Sequence, residues 1–465
     1  MSALNLTSPS RVHLVGIGGI GLSAIARVLL AWGHQVSGSD RRASAITDVL
    51  TGEGVSVYIG HDAEHLPPDT DLVIVSSAVP ADNPEVVAAR QRGIPVVKRA
   101  EVLGDMMAGK LGIAVAGTHG KTTIAALIAF TLVRAGLDPT FIVGGVLQDL
   151  GTNARAGRGP HFVIEADEYD RTFLGLRPQV AVVTNIEMDH PDCYPDLGSM
   201  VEAFRSFLAL VPRDGWVIGC RDDERIRELL GELGGTRRVT YGLGDGVDWQ
   251  AVDVRSNQAG GSDFVVRYQG SDVGRFSIRL PGIHNVQNAL AVLAVAHHLD
   301  VDQEIVGRAL AEFQGTGRRF ELKGMAGGVT VIDDYAHHPT QIRATLAAAR
   351  ARFPQSSIWA VFQPHTYSRT KGLLDEYAVS FSDADHVIVT AIYAAREYNS
   401  LGVSAADLVA RMSHPDAHHI AELEAVTEYL AAHVRPGDVV LTLGAGDGYL
   451  VGENLLARLK WQVTS

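Results

Sequence analysis

Short apolar runs that end in polar or glycine-rich turns alternate with longer segments of helical period along almost the whole chain. That is the pattern of parallel-sheet α/β units. RVHLVGI (11–17) feeds a glycine turn, and GLSAIARVLLAWG (21–33) has helical period and stops at Gly33. QVSGSD (35–40) reads as a second strand and DLVIVSSAVP (71–80) as a later one running into a polar loop. After residues 93–110 a new unit opens with LGIAVAG (111–117), which puts the first boundary near Gly109. In the middle third, HFVIEADEYD (161–170) and QVAVVTNIEMDH (179–190) are buried-type strands that pass abruptly into carboxylates or a histidine. Residues 242–280 alternate polar and apolar and suggest antiparallel strands, and HNVQNALAVLAVAHHL (284–299) predicts an amphipathic helix. A third unit near Lys323 repeats the α/β pattern with GVTVIDDY, SIWAVFQP, DHVIVTAIY and GDVVLTLGAGD. No short-period repeat or low-complexity linker interrupts the chain.

Composition narrows the class. The 465 residues suggest about three domains. Net charge is −13 with no Lys/Arg-rich run, which argues against a nucleic-acid or anionic-membrane surface. Cys193 and Cys220 are the only cysteines; without a C-x-x-C pair they imply neither a disulfide framework nor a zinc site, and a cytoplasmic location is expected. The apolar stretch 12–26 is broken by glycines and lacks a basic cluster upstream, so it fits a strand–loop–helix better than a signal peptide. No run reaches the length of a membrane-spanning helix.

Gly16, Gly18 and Gly21 follow the first strand in G-x-G-x-x-G spacing, with Gly19 between them and Asp40 further on. Alone this reads as a dinucleotide loop, and so as an oxidoreductase. A second loop changes that reading. In GTHGKTT, Gly117, Thr118, His119 and Gly120 form a turn between a strand and a helix that begins Lys121-Thr122-Thr123. Backbone N–H groups and the helix N-terminus favour phosphate oxygens, the lysine reaches the β/γ-phosphates, and the Thr122 hydroxyl can ligate Mg²⁺. Val115 stands where the standard loop has glycine, so the match is to the shorter form. Magnesium needs hard oxygen ligands, and Glu165, Asp167, Glu168, Asp170, Glu187, Asp189 and His190 at the two strand ends are the candidates. A dehydrogenase has no use for an ATP loop, and a non-catalytic scaffold would tolerate loss of Lys121. An enzyme that spends ATP to activate a substrate carrying a nucleotide diphosphate needs both cradles.

The ordered set GIGGIGLS, SSAVPADNPE, GTHGKTT, GGVLQDLGTNA, EADEYD, TNIEMDH, GIHNVQNALA, GTGRRFE, DDYAHHPT, FQPHTYSRT and LGAGD resembles the Mur ligase family over nearly the whole chain. The resemblance implies an α/β fold of three domains: an N-terminal Rossmann-like domain for the UDP substrate (1–108), a central P-loop-type ATPase sheet (109–322) and a C-terminal Rossmann-like domain (323–465). It implies ATP-dependent amide formation in peptidoglycan synthesis with ATP and Mg²⁺, through an acyl phosphate. FQPHTYSRT and GRRFE favour the branch that joins L-alanine to UDP-N-acetylmuramate. EADEYD, with Tyr169, also resembles the recycling branch that uses a murein tripeptide, and Thr366 and Ala391 depart from the family pattern around the amino-acid pocket. A monomer or homodimer is expected.

Carried over position by position, the resemblance places Lys121 on the phosphates and Thr122, Glu165 and His190 on the metal. Asn285 would meet adenine, with Arg319 and Asp334 near the phosphates and ribose. Gly16, Gly18, Gly19 and Gly21, with Asp40, Ser76 and Ser77, would hold the UDP part, and Thr152 and Asn153 the sugar side. Tyr335, His337, His365 and Arg369 would face the amino acid and the lactyl carboxylate. Several members of the family carry a carbamylated lysine after the metal histidine; no lysine lies between Lys121 and Lys323, so none is expected here. His337 and His338 are adjacent and should diverge, which disfavours a metal pair.

Overall fold

A computed structural model describes residue 6, residues 8–395 and residues 397–464. The chain builds three separate sheets. In the first, strands Arg11–Val15, Gln35–Asp40, Ser56–Ile59, Leu72–Val75 and Val96–Lys98 (β1–β5) are all parallel, in the order β3-β2-β1-β4-β5. The order reverses between β1 and β4, which opens a crevice at their carboxyl ends. The first glycine loop leaves β1 there and enters the helix Ile20–Ala31, beyond which Gly33 takes φ +88°.

The second sheet has ten strands. They are Leu111–Ala116, Thr140–Leu147, Thr152–Arg155, His161–Glu165, Val180–Val183, Trp216–Cys220, Arg237–Gly242, Trp249–Ser256, Ser262–Tyr268 and Ser271–Ile278 (β6–β15). Their order is β15-β14-β13-β12-β11-β10-β6-β9-β7-β8. The strands from β13 to β7 run parallel, and β13, β14 and β15 pair antiparallel, as the alternation in 242–280 suggested. Strand β6 lies between β9 and β10, with Val115 opposite Glu165 and Ala116 opposite Val183. Three chemically loaded segments therefore emerge side by side from one end of the sheet.

The helix Ile283–His298 is not amphipathic as expected. Asn285, Val286 and every residue from Asn288 to Ala296 are buried. It packs against the helix Lys121–Arg134 on one side and against β11–β14 on the other, so it has little solvent face left.

The third sheet is Glu321–Ala326, Val329–Asp334, Ile358–Phe362, His386–Val389, Ala417–His419 and Val439–Leu443 (β16–β21), in the order β16-β17-β21-β18-β19-β20. Only β16 is antiparallel. It begins at Glu321, so the expected boundary at 322/323 falls inside the first strand of this unit. The first and second units meet tightly. A Cβ on Gly104 would lie 2.1 Å from the Gly175 carbonyl oxygen, and one on Gly175 2.4 Å from that of Ala100. Among the described residues no helix is long and apolar enough to cross a membrane.

Candidate active site

The second glycine loop turns sharply after β6. Gly117 has φ +133°, and a Cβ there would stand 1.9 Å from Thr184 Oγ1. Gly120 caps the helix Lys121–Arg134 at φ +83°. Thr118 N–H donates to the Asn185 carbonyl (2.9 Å) and His119 N–H to Asn185 Oδ1 (2.8 Å). The first-turn amides of Lys121, Thr122 and Thr123 have no helical acceptor and are left for an anion. Lys121 Nζ lies 2.8 Å from Glu168 Oε2 and donates to the Gly117 carbonyl at 2.6 Å. Burial alone would lower the lysine pKa, but Glu168, Glu165 and Asp167 together outweigh it and raise it. The ammonium stays charged.

Thr122 Oγ1 donates to Glu165 Oε1 (3.0 Å), and Gly144 N–H to Glu165 Oε2 (2.8 Å). This pair of hard oxygens beside a phosphate-type loop fits Mg²⁺. His190 sits at φ +54° and turns Nε2 toward Glu168 Oε1 (3.5 Å) and Asp189 Oδ2 (3.7 Å). Burial opposes its charged form, yet Asp189 and Glu168 prevail and raise its pKa.

The third unit supplies the opposite wall. Arg369, at 5% exposure, places Nε and Nη2 on Asp189 Oδ1 at 2.8 Å and Nη1 3.0 Å from His365 Nδ1. Its Nε edge is therefore committed to Asp189, and Nη1 is shared with His365. Thr366, in the left-handed region at φ +64°, caps the short helix Tyr367–Gly372 by accepting from Arg369 N–H and does not line the cavity. His337 Nδ1 lies 2.9 Å from the Tyr335 carbonyl. Burial and the nearby Arg369 hold His337 well below the ordinary histidine pKa. The imidazole is neutral, its Nδ1–H goes to Tyr335, and Nε2 remains an acceptor. His338 points elsewhere, to the Met188 carbonyl and Glu187, so the two histidines diverge as expected.

Lys121, Thr122, Glu165, His190, Arg319, Tyr335, His337, His365 and Arg369 line one cavity of about 500 Å³ between all three units. A second cavity of about 250 Å³ lies on the other side of the loop and is lined by Thr123, Asn285, Arg319 and Asp334 among others. Asn285 is anchored by donating to the Pro281 carbonyl (2.7 Å) and accepting from Asn288. Asp334 accepts from Phe320 N–H and Ala336 N–H, both at 2.8 Å; burial raises its pKa against the pull of Arg319.

The first glycine loop differs from its expected form. Gly16 and Ile17 N–H donate to the Ser39 carbonyl, Gly18 N–H to Asp40 Oδ2, and Gly19 N–H to the Gly16 carbonyl. Those donors are consumed inside the protein, and Asp40 braces the loop. Only the helix start, at Ile20 and Gly21, reaches the larger cavity. A Cβ on Gly16 would sit 3.1 Å from Ser76 Cβ, which brings the two segments together as expected; Ser77 is exposed beside them. Thr152 Oγ1 donates to the Ala154 carbonyl. Asn153 is buried and spends its amide on Arg27 (2.8 Å) and the Ile20 and Val143 carbonyls (3.4 Å each), tying the first unit to the second. It is an interdomain tie and not a group turned to the cavity.

Three residues were given no role from the sequence, although Arg318 lies inside GTGRRFE. Arg99, from the first unit, reaches Asp167 at 2.7 Å and lies against Gly21. Arg318 pairs with Asp333 at 2.9 Å while donating to the Gly444 and Gly446 carbonyls. Gln341 bridges the third unit to His119. All three are placed by contacts between units, which no local pattern encodes.

Comparison with known proteins agrees with this arrangement. The model of the Mur ligase family catalytic domain matches residues 11–111, that of the Mur ligase middle domain 115–296, and that of the Mur ligase glutamate ligase domain 318–446. A UDP-N-acetylmuramate–L-alanine ligase of Geobacter sp. (strain M21) is 47% identical over 453 residues, 97% of this chain and 98% of that protein. Its namesake from Caldanaerobacter subterraneus subsp. tengcongensis is 45% identical over 460 residues, covering 98% and 99%. The crystal structure of a UDP-N-acetylmuramate-alanine ligase from Thermotoga maritima superposes with a TM-score of 0.82 at 30% identity, covering 98% of this chain and all of that one (100%). A murein peptide ligase from Psychrobacter arcticus 273-4 superposes at 0.76 with 26% identity, covering 97% and 99%.

Proposed function

Because this chain belongs to the Mur ligase family, we propose that it joins L-alanine to the lactyl carboxylate of UDP-N-acetylmuramate at the expense of ATP, in the cytoplasm. The observation that carries the reading is the convergence in one cavity of the loop lysine, oxygen ligands from two strand ends and an arginine from a different unit. A carboxylate is a poor electrophile. Its oxygen attacks the γ-phosphorus of ATP, ADP leaves, and the acyl phosphate that results has a good leaving group. The amine then attacks the carbonyl carbon and inorganic phosphate departs. In such chemistry the protein positions the reactants and neutralises charge.

Lys121 and the first-turn amides would hold the phosphates. Thr122, Glu165 and His190 would hold Mg²⁺, whose contribution is to neutralise charge gathering on the phosphoryl oxygens. Asn285, Arg319 and Asp334 would frame the nucleoside in the smaller cavity. Ile20 and Gly21 present the amides that best suit the pyrophosphate of the UDP substrate, with Ser76 and Ser77 beside them. Arg369 would take a carboxylate on its Nη1 edge, with Tyr335 and His365 around it. His337, neutral with Nε2 free to accept, would take a hydrogen bond from the alanine amine and orient it. We place the unit boundaries at 108/109 and 320/321.

The test is ATP-dependent phosphate release with Mg²⁺. UDP-N-acetylmuramate is offered with L-alanine in one reaction and with a murein tripeptide in another. Turnover with L-alanine alone, abolished by Lys121→Ala, supports the reading. Turnover with the tripeptide alone overturns it and moves the chain to the recycling branch, with Tyr169, which donates to Asp192 and stacks its edge on His190, as the residue to explain.

A further inference from the structure

His119, Glu187 and His338 put one ligand atom each within 4.8 Å of one another, where the third unit meets the second. That spacing suits a metal ion, but the hydrogen bonds around it assign a different task. Gln341 Oε1 accepts from both His337 N–H (3.0 Å) and His338 N–H (3.2 Å) at the start of the helix Pro339–Arg352. The amide oxygen is fixed there, so its NH₂ end faces His119 Nδ1 at 2.9 Å and donates to it. Nδ1 of His119 is thus an acceptor and its proton sits on Nε2, which donates to Glu187 Oε2 at 3.1 Å. The same oxygen accepts from Thr340 Oγ1 at 2.7 Å. A metal would need the Nε2 lone pair, and moving the proton to Nδ1 would set it against the Gln341 NH₂.

His119 also belongs to the phosphate loop. Its N–H donates to Asn185 and its carbonyl accepts from Thr184 Oγ1 at 2.6 Å. It lines both cavities, and so does Gln341. We infer that the His119–Gln341 hydrogen bond, backed by Glu187 and Thr340, is the latch by which the phosphate loop holds the third unit closed over the reaction. Gln341 is a positioning residue. It brings Arg369, Tyr335 and His337 to the loop because it stands on the same unit. The inference builds on the ligase reading, but closure can be measured without turnover.

The experiment compares the full chain with His119→Ala, Gln341→Ala and the double variant, each checked for an unchanged far-UV spectrum. Small-angle scattering is recorded with a non-hydrolysable ATP analogue, and phosphate release with the full substrate set. Gln341→Ala should raise the radius of gyration of the analogue complex and lower kcat about fivefold to tenfold, the effect of one lost interfacial hydrogen bond. Both readings are taken at saturating nucleotide, so that a weakened Kd does not mimic loss of closure. The double variant should be no slower than the slower single one. Additive losses, or a Gln341→Ala protein with unchanged radius and kcat, overturn the latch. So does stoichiometric binding of added Zn²⁺ that Glu187→Gln abolishes. If scattering responds as expected while L-alanine is not a substrate, the latch stands and the ligase reading falls.

Discussion

Replacing Arg369 with alanine should open the molecule without unfolding it. Asp189 and Arg369 belong to different units, and their side chains are only 4% and 6% exposed. Two guanidinium nitrogens reach Asp189 Oδ1 at 2.8 Å, and His190 N–H reaches the same oxygen at 2.7 Å. Truncation leaves a buried carboxylate without its main counter-charge, a change that costs about 3–5 kcal/mol in a protein interior. Because the pair spans an interface, the chain can avoid that cost by separating the units and returning Asp189 to water. A shift of about 3 kcal/mol lowers the closed population by roughly a hundredfold, and ligase turnover should fall at least that far.

The sign of the pH dependence follows from Asp189. Burial pushes its carboxyl pKa up, but Arg369 first, then His190, His337 and His338, hold it well below the ordinary value. A depressed carboxyl stabilises the closed form above its ordinary pKa, and that stability is lost as pH falls through the depressed value. Without Arg369, burial drives the pKa upward, and the carboxyl can become neutral in mild acid. The variant's deficit against the parent should be greatest near neutrality and shrink as pH falls toward about 5. Scattering and hydrogen exchange over residues 184–190 would measure it. An unchanged radius at neutral pH, or a deficit that grows in acid, would refute the reasoning.

Three further outcomes are expected. Gly117→Ala should lower kcat/KM for ATP about a hundredfold, since its Cβ would lie 1.9 Å from Thr184 Oγ1 and the loop must shift on the order of 1 Å; a variant with parental KM and kcat would show that the loop tolerates the shift. Asn153→Ala should destabilise the protein by about 1–2 kcal/mol in a denaturant titration, because its amide joins Arg27, Ile20 and Val143; a raised KM for the UDP substrate at parental stability would restore it to the sugar site. Protein equilibrated with ¹³C-bicarbonate should give no lysine carbamate signal from residues 122–322, as no lysine lies between Lys121 and Lys323; a signal from the central unit would have to come from Lys110 or Lys121.

The periodicities and motif order were enough for three α/β units, the strand endings that carry carboxylates, and the loop Gly117–Thr123. Those features are local: a strand, a glycine turn and a helix start are written in neighbouring residues. The sheet order was not. Strand β6 lies between β9 and β10 only in the folded sheet, and that adjacency sets Glu165 on Thr122. Local pattern also says nothing of partners that are distant in sequence. The helix 283–298 looked amphipathic, but a second helix and the sheet cover it from both sides, and Asn153, which the resemblance set on the sugar side, is bonded to Arg27 of the first unit. The amides of the first glycine loop looked free until Ser39 and Asp40 took them. Arg99 and Gln341 have ordinary neighbours along the chain, Arg318 stands beside the Arg319 that the motif singled out, and contacts between units give each its place. Sequence determined which chemical groups this protein carries and the elements that hold them. Tertiary structure decided which of those groups remain available, because a hydrogen-bonding atom already satisfied by a distant partner has little left to offer a substrate.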